Sequence, residues 1–119
     1  MYHLYFDGCK NGCATILVKN GIEMNTIIMN GDMNSDESLF TSLCAGLECC
    51  IRKSITEIVL CVENYLILKQ LTGEEEMTHK LGIKAKCLMD SIKVHYKSIF
   101  RHENNRVKQL SKDASRGIL

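Results

Sequence analysis

Proline and tryptophan are absent from this 119-residue chain, and aromatic residues make up only 6% of it. No window holds 18 apolar residues in a row, which excludes an ordinary transmembrane helix and with it a membrane partner. No basic stretch precedes an apolar one at Met1-Tyr2-His3-Leu4-Tyr5-Phe6-Asp7, so the N-terminus does not read as a secretory signal. No tight Cys-x-x-Cys pair occurs, which argues against a structural zinc site even though Cys9, Cys13 and His3 lie close in sequence. No linker, internal repeat or low-complexity tract is visible. The formal charge is only +1, so the broad positive field of a dedicated nucleic-acid binder is also missing.

What is present describes one domain spanning residues 1–119. Its 45% apolar content suffices for a core, and a chain this long buries roughly two-thirds of its unfolded surface. Seven cysteines without an export signal read as reduced thiols of an intracellular, cytoplasmic protein. Cys44, Cys49, Cys50, Cys61 and Cys87 fall within apolar patterns, where cysteine acts as a small hydrophobe. The small net charge conceals an asymmetry: Met1–Glu48 carries −4 and Cys49–Leu119 carries +5.

The periodicity predicts an order of elements. Tyr2–Phe6 is a short apolar strand stopping at Asp7-Gly8. Cys13–Lys19 and Ile22–Met29 form a hairpin around Asn20-Gly21. A helix follows, capped by Ser35 or Asp36, with Leu39, Phe40, Leu43, Gly46, Leu47 and Cys50 on one face. Ile58–Val62 is a continuous apolar run, as in a strand buried on both sides. Short helices over Tyr65–Leu71 and Lys80–Ile92 flank the exposed Glu74-Glu75-Glu76 run. Val94–Phe100 is the last strand, and Asn105–Gly117 is a terminal helix with Val107, Leu110, Ala114 and Ile118 as its apolar stripe. The result is an α/β chain with a central five-stranded mixed sheet flanked by helices. The Tyr2–Phe6 and Ile58–Val62 strands should be parallel neighbours, which brings Asp7 and Glu63 to adjacent strand ends.

Four segments in this order resemble ribonuclease H of type 1, over nearly the whole chain. Tyr5-Phe6-Asp7-Gly8 is similar to the family's first strand, which ends in Asp-Gly. Leu43-Cys44-Ala45-Gly46-Leu47 resembles the middle of its first helix. Val62-Glu63-Asn64-Tyr65-Leu66-Ile67-Leu68-Lys69-Gln70-Leu71-Thr72-Gly73 is similar to its Asp-Ser-x-Leu-Val-x-x-Gln-x-x-Gly. Arg101-His102-Glu103-Asn104-Asn105-Arg106-Val107-Lys108-Gln109-Leu110-Ser111 resembles the turn and start of its last helix.

The resemblance implies a ribonuclease H-like fold and, in an active member, two Mg2+ or Mn2+ ions held by four carboxylates that cut the RNA strand of an RNA–DNA hybrid. Placed on those four positions, the residues here are Asp7, Leu39, Glu63 and Lys108. Their summed charge is −1 rather than −4. Two divalent ions need several hard oxygen ligands, so the site reads as degenerate, and with it the chain as a pseudoenzyme with no cofactor. Lys108 either faces Asp7 and Glu63 as a replacement cation or points to solvent.

On this reading the chain serves as a binding or interaction module, for hybrid or single-stranded nucleic acid, weakly, or for a protein. The alternative is an active hybrid-cleaving ribonuclease H with divalent metal on Asp7 and Glu63. For nucleic acid, the candidate contacts are Arg101, Arg106, Lys108, Lys112 and Arg116. Lys108, Lys112 and Arg116 are spaced by four on the terminal helix, and the segment from Arg101 to Arg116 carries +3.

Overall fold

The computed structural model describes residues 1–118. Its ten elements run β1 Tyr2–Cys9, β2 Gly12–Lys19, β3 Ile22–Asn30, α1 Ser35–Arg52, β4 Glu57–Val62, α2 Tyr65–Thr72, α3 Lys80–Met89, β5 Lys93–Ser98, a 3-10 turn Arg101–Asn104 and α4 Asn105–Ser115. The strands form one sheet in the order β3-β2-β1-β4-β5. β1, β2 and β3 are an antiparallel meander, whereas β4 pairs parallel with both β1 and β5. The mixed sheet and the β1–β4 adjacency are as the sequence predicts.

Alternation along β1 explains the layering, because successive side chains in a strand point to opposite faces. Leu4 and Phe6 join Leu17, Ile58 and Leu60 on one face, where α1 contributes Phe40, Leu43 and Leu47, α2 Ile67 and Leu71, and α3 Ala85. On the other face Tyr5 packs with Ala14 and Ile16 against Val107 and Leu110 of α4. The sheet is thus sandwiched, with α4 as the helix packed on its second side.

Several boundaries differ from the sequence reading, each for a local reason. β1 does not stop at Asp7: it continues to Cys9, pairing Asp7 with Ala14 and Cys9 with Gly12, because Asn11 takes a positive φ of 67° and closes a two-residue turn. The cap of α1 is Asn34, not Ser35 or Asp36. Its side chain accepts from the Glu37 N–H at 2.9 Å, and Glu37 Oε1 accepts in return from the Asn34 N–H at 3.5 Å. α3 ends at Met89 because the Asp90 and Ile92 N–H groups tighten back onto Cys87 and Met89, and Lys93 already donates to Thr56 at 2.7 Å to begin β5. β5 ends at Ser98, and the Phe100 N–H turns to Glu103 instead. α4 closes at Ser115 with Gly117 at φ 71° and the Ile118 N–H on the Asp113 carbonyl. That turn throws Ile118 out to 64% exposure, so it is not part of the apolar stripe.

Candidate functional site

Parallel pairing of β1 with β4 runs from Tyr2–Ile58 to Tyr5–Cys61, and the C-terminal ends of the paired segments lead to one carboxylate each: Asp7, still within β1, and Glu63, directly after β4. Two helices close over these ends. α1 crosses β1 so tightly at Gly8 that a Cβ there would overlap the backbone of Ser38 and Leu39, and this approach sets Leu39 beside Asp7. α4 is pinned to the same strand by side chains bonding to backbone. The Ser111 hydroxyl lies 3.1 Å from the Asp7 carbonyl and 2.9 Å from that of Val107, and Asn104 Nδ2 donates to the Phe6 carbonyl at 3.4 Å. With the helix fixed by residues 104 and 111, residue 108 has one direction left, toward the strand ends.

Lys108 therefore reaches into the cleft. Its Nζ lies 2.7 Å from Glu63 Oε2 and 3.6 Å from Asp7 Oδ2. The three side chains keep 20%, 22% and 16% of their surface. Of the two orientations open to Lys108 from sequence, the cleft-facing one is realised. The cleft holds about 230 Å3, with Leu39 and Ile67 as apolar walls and Asp36 and Asn64 at its polar side.

Burial is the strongest influence on Asp7 and raises its pKa above the ordinary aspartate value. Lys108 and the Gly8 N–H pull it back down, and Glu63 adds to the rise. The other oxygen of Glu63, Oε1, is buried with no hydrogen-bond partner. An ion pair in such a place is tolerated only where geometry and further hydrogen bonds offset the loss of hydration, and here one oxygen lacks that help.

This donor set does not fit two divalent ions. Each ion wants about six oxygens, whereas the cleft offers Asp7 and Glu63 with an ammonium already between them and Asp36 at its edge. Among the described residues, no three His, Cys, Asp or Glu side chains gather into a group able to hold a metal ion. Asp36 lines the same cleft but does not complete such a group.

The remaining sequence candidates separate. Arg106 is held by Glu23 on β3, Nε to Oε2 at 3.0 Å and a terminal guanidinium nitrogen to Oε1 at 3.4 Å. Lys108 is held in the cleft. Arg101, Lys112 and Arg116 are exposed, with no ion-pair partner among the described residues. The histidines have structural partners: His79 caps α3 by accepting from the Leu81 N–H at 3.1 Å, His95 bonds Glu57, and His102 stacks on Phe100. Cys87 is exposed, against the expectation that it packs as a hydrophobe, because it lies on the outer side of α3 away from Ala85. Sequence reasoning missed Asn64, which lines the cleft and caps α2 by accepting from the Leu66 and Ile67 N–H groups, and it misplaced Asp36 as a cap. The Asn directly after a strand-ending Glu was the available signal for the first.

No family model and no curated protein matches the chain. Solved structures do. RNase H1 from the halophilic archaeon Halobacterium salinarum NRC-1 superposes with a TM-score of 0.87 at 22% identity, covering 98% of each chain. The N-terminal RNase H domain of a Mycobacterium tuberculosis protein gives 0.88 at 18% identity, covering 98% of this chain and 94% of that one. LC11-RNase H1, from compost by a metagenomic approach and solved in complex with an RNA/DNA hybrid, gives 0.86 at 16% identity, with 98% of each chain covered. The chain has a ribonuclease H-like fold.

Proposed function

We propose that this chain is a ribonuclease H-like module that binds nucleic acid and has lost metal-dependent cleavage. One observation carries the reading: the Lys108 ammonium bridges Glu63 and Asp7, at 2.7 and 3.6 Å, in the cleft where the resemblance would put metal ions. A cation fixed there repels a second cation across a partly desolvated space, and it neutralises carboxylates that would otherwise repel phosphate. Nucleic acid as the partner is supported by the exposed Arg101, Lys112 and Arg116, and by the fold shared with a protein solved on an RNA/DNA hybrid.

A second reading, hybrid cleavage with Mg2+ or Mn2+, is favoured by two details of the same cleft. Asp36 lines it, and the buried Glu63 Oε1 has no partner.

Binding is tested with a labelled RNA–DNA hybrid across a salt series. About three phosphate contacts predict a fall of several-hundred-fold in affinity for a tenfold rise in salt. Lys112→Glu with Arg116→Glu should abolish binding while the circular dichroism spectrum stays unchanged. Unaltered binding in that variant contradicts the assignment of these contacts. No binding even at low salt moves the reading to a protein partner.

A further inference from the structure

Two aromatic rings stand out of the surface at the same end of the sheet as the cleft. Phe100 is 73% exposed and Tyr65 is 65% exposed, more than any other large apolar side chain among the described residues. Both follow the ends of neighbouring parallel strands. Tyr65 comes two residues after Glu63, and Phe100 two residues after the end of β5, where the Ile99 N–H donates to the Val62 carbonyl at 3.0 Å.

Neither ring sits on a loose segment. The Phe100 N–H donates to Glu103 Oε1 at 3.1 Å, and the Glu103 N–H returns to the Phe100 carbonyl at 3.0 Å. The Phe100 ring stacks on His102, with centroids 5.8 Å apart and planes 11° from parallel. Tyr65 opens α2 behind the Asn64 cap, and the Lys69 ammonium lies 4.9 Å from its ring centroid. Each ring thus has one nitrogen-bearing neighbour and a large open surface. Lys97 and Arg101 are exposed on either side of Phe100 in sequence.

We propose that Phe100 and Tyr65 are stacking platforms for the bases of a single-stranded nucleic acid that crosses the mouth of the cleft, with Lys97, Arg101 and Lys69 meeting its phosphates. The inference deepens the nucleic-acid reading above and rests on it. Aromatic faces bordered by cations match a strand whose bases are unstacked and whose backbone is anionic. A duplex hides its base faces and could offer these rings only its ends, so a single strand is the better match.

The test compares three labelled probes by fluorescence anisotropy at low salt: a short oligothymidine, an abasic phosphodiester strand of the same length, and an RNA–DNA hybrid. Oligothymidine should bind about tenfold or more tightly than the abasic strand. Phe100→Ala with Tyr65→Ala should remove that advantage and leave the abasic and hybrid affinities unchanged. Both rings are exposed, so the fold should survive, and Phe100→Trp with Tyr65→Phe should retain oligothymidine binding. Equal affinity for the thymidine and abasic strands overturns this inference alone, as does an Ala variant that still prefers thymidine. Failure to bind any of the three probes overturns the nucleic-acid reading beneath it as well.

Discussion

A carboxylate stands at each end of β4, Glu57 as its first residue and Glu63 directly after its last, and the two lead different lives. Glu63 at its C-terminal end meets Lys108 in the cleft, with 22% and 20% of the side chains exposed. Glu57 at its N-terminal end meets His95 at 2.6 Å and Lys93 at 3.9 Å, with 41%, 44% and 73% exposed. The ingredients are similar, an acid at an end of β4 and nitrogen-bearing side chains from another element. Burial decides the outcome. At the open end the His95 hydrogen bond is the largest influence and holds Glu57 below its ordinary pKa. In the cleft desolvation is the largest influence on Asp7 and overrides the attraction of Lys108. A surface pair can be discarded at small cost, whereas removing one member of the cleft's triad leaves a partly buried charge without its partner.

The largest expected effect comes from breaking the buried side of this comparison. Lys108→Met leaves two carboxylates facing each other without a cation. Removing one partner of a buried pair costs about 3–5 kcal/mol. The residual exposure of this site should place the loss at about 2–3 kcal/mol in urea unfolding at neutral pH. The loss should shrink as acid protonates Asp7. Glu57→Gln, by contrast, should leave the urea midpoint unchanged within error. A Lys108→Met variant as stable as the parent would show that the triad contributes nothing.

A smaller effect sharpens the sign. The folded chain holds the Asp7 proton more tightly than the unfolded chain does, so ionising Asp7 costs stability. That cost is absent below the ordinary aspartate range and sets in as pH rises from there through the raised folded value. Asp7→Asn should therefore be as stable as the parent or more so at neutral pH, by about 1 kcal/mol or less, with the gain vanishing in acid. Destabilisation by Asn at neutral pH would mean that the Lys108 contact outweighs burial after all.

The framework of this fold is legible in the sequence because local chemistry agrees with it. Asn20-Gly21 supplies two consecutive positive φ angles, 53° and 77°, at the β2–β3 hairpin. The continuous apolar run at Ile58–Val62 is a strand flanked on both sides, by β1 and β5. From those two facts the meeting of Asp7 and Glu63 follows. The rest depends on contacts between residues far apart in sequence. Arg106 reads as a free phosphate contact until β3 brings Glu23 to it, 83 positions away. The inward turn of Lys108 is decided by Ser111 and Asn104 holding α4 against β1, which the sequence of α4 alone does not reveal. Asn34 is the cap in place of Ser35 or Asp36 because Glu37 lies three residues after it, a pairing present in the sequence itself.

Cleavage of a labelled RNA–DNA hybrid, in magnesium and separately in manganese, tests the central claim most directly. Asp7→Asn serves as the control for contaminating nuclease. A triple variant, Leu39→Glu, Glu63→Asp and Lys108→Asp, rebuilds four carboxylates. The account predicts no cleavage by the unmodified chain beyond that of the Asp7→Asn control, and metal binding gained only in the triple variant. Metal-dependent cutting by the unmodified chain that disappears in Asp7→Asn would contradict it, and would make this cleft a working nuclease site despite Lys108.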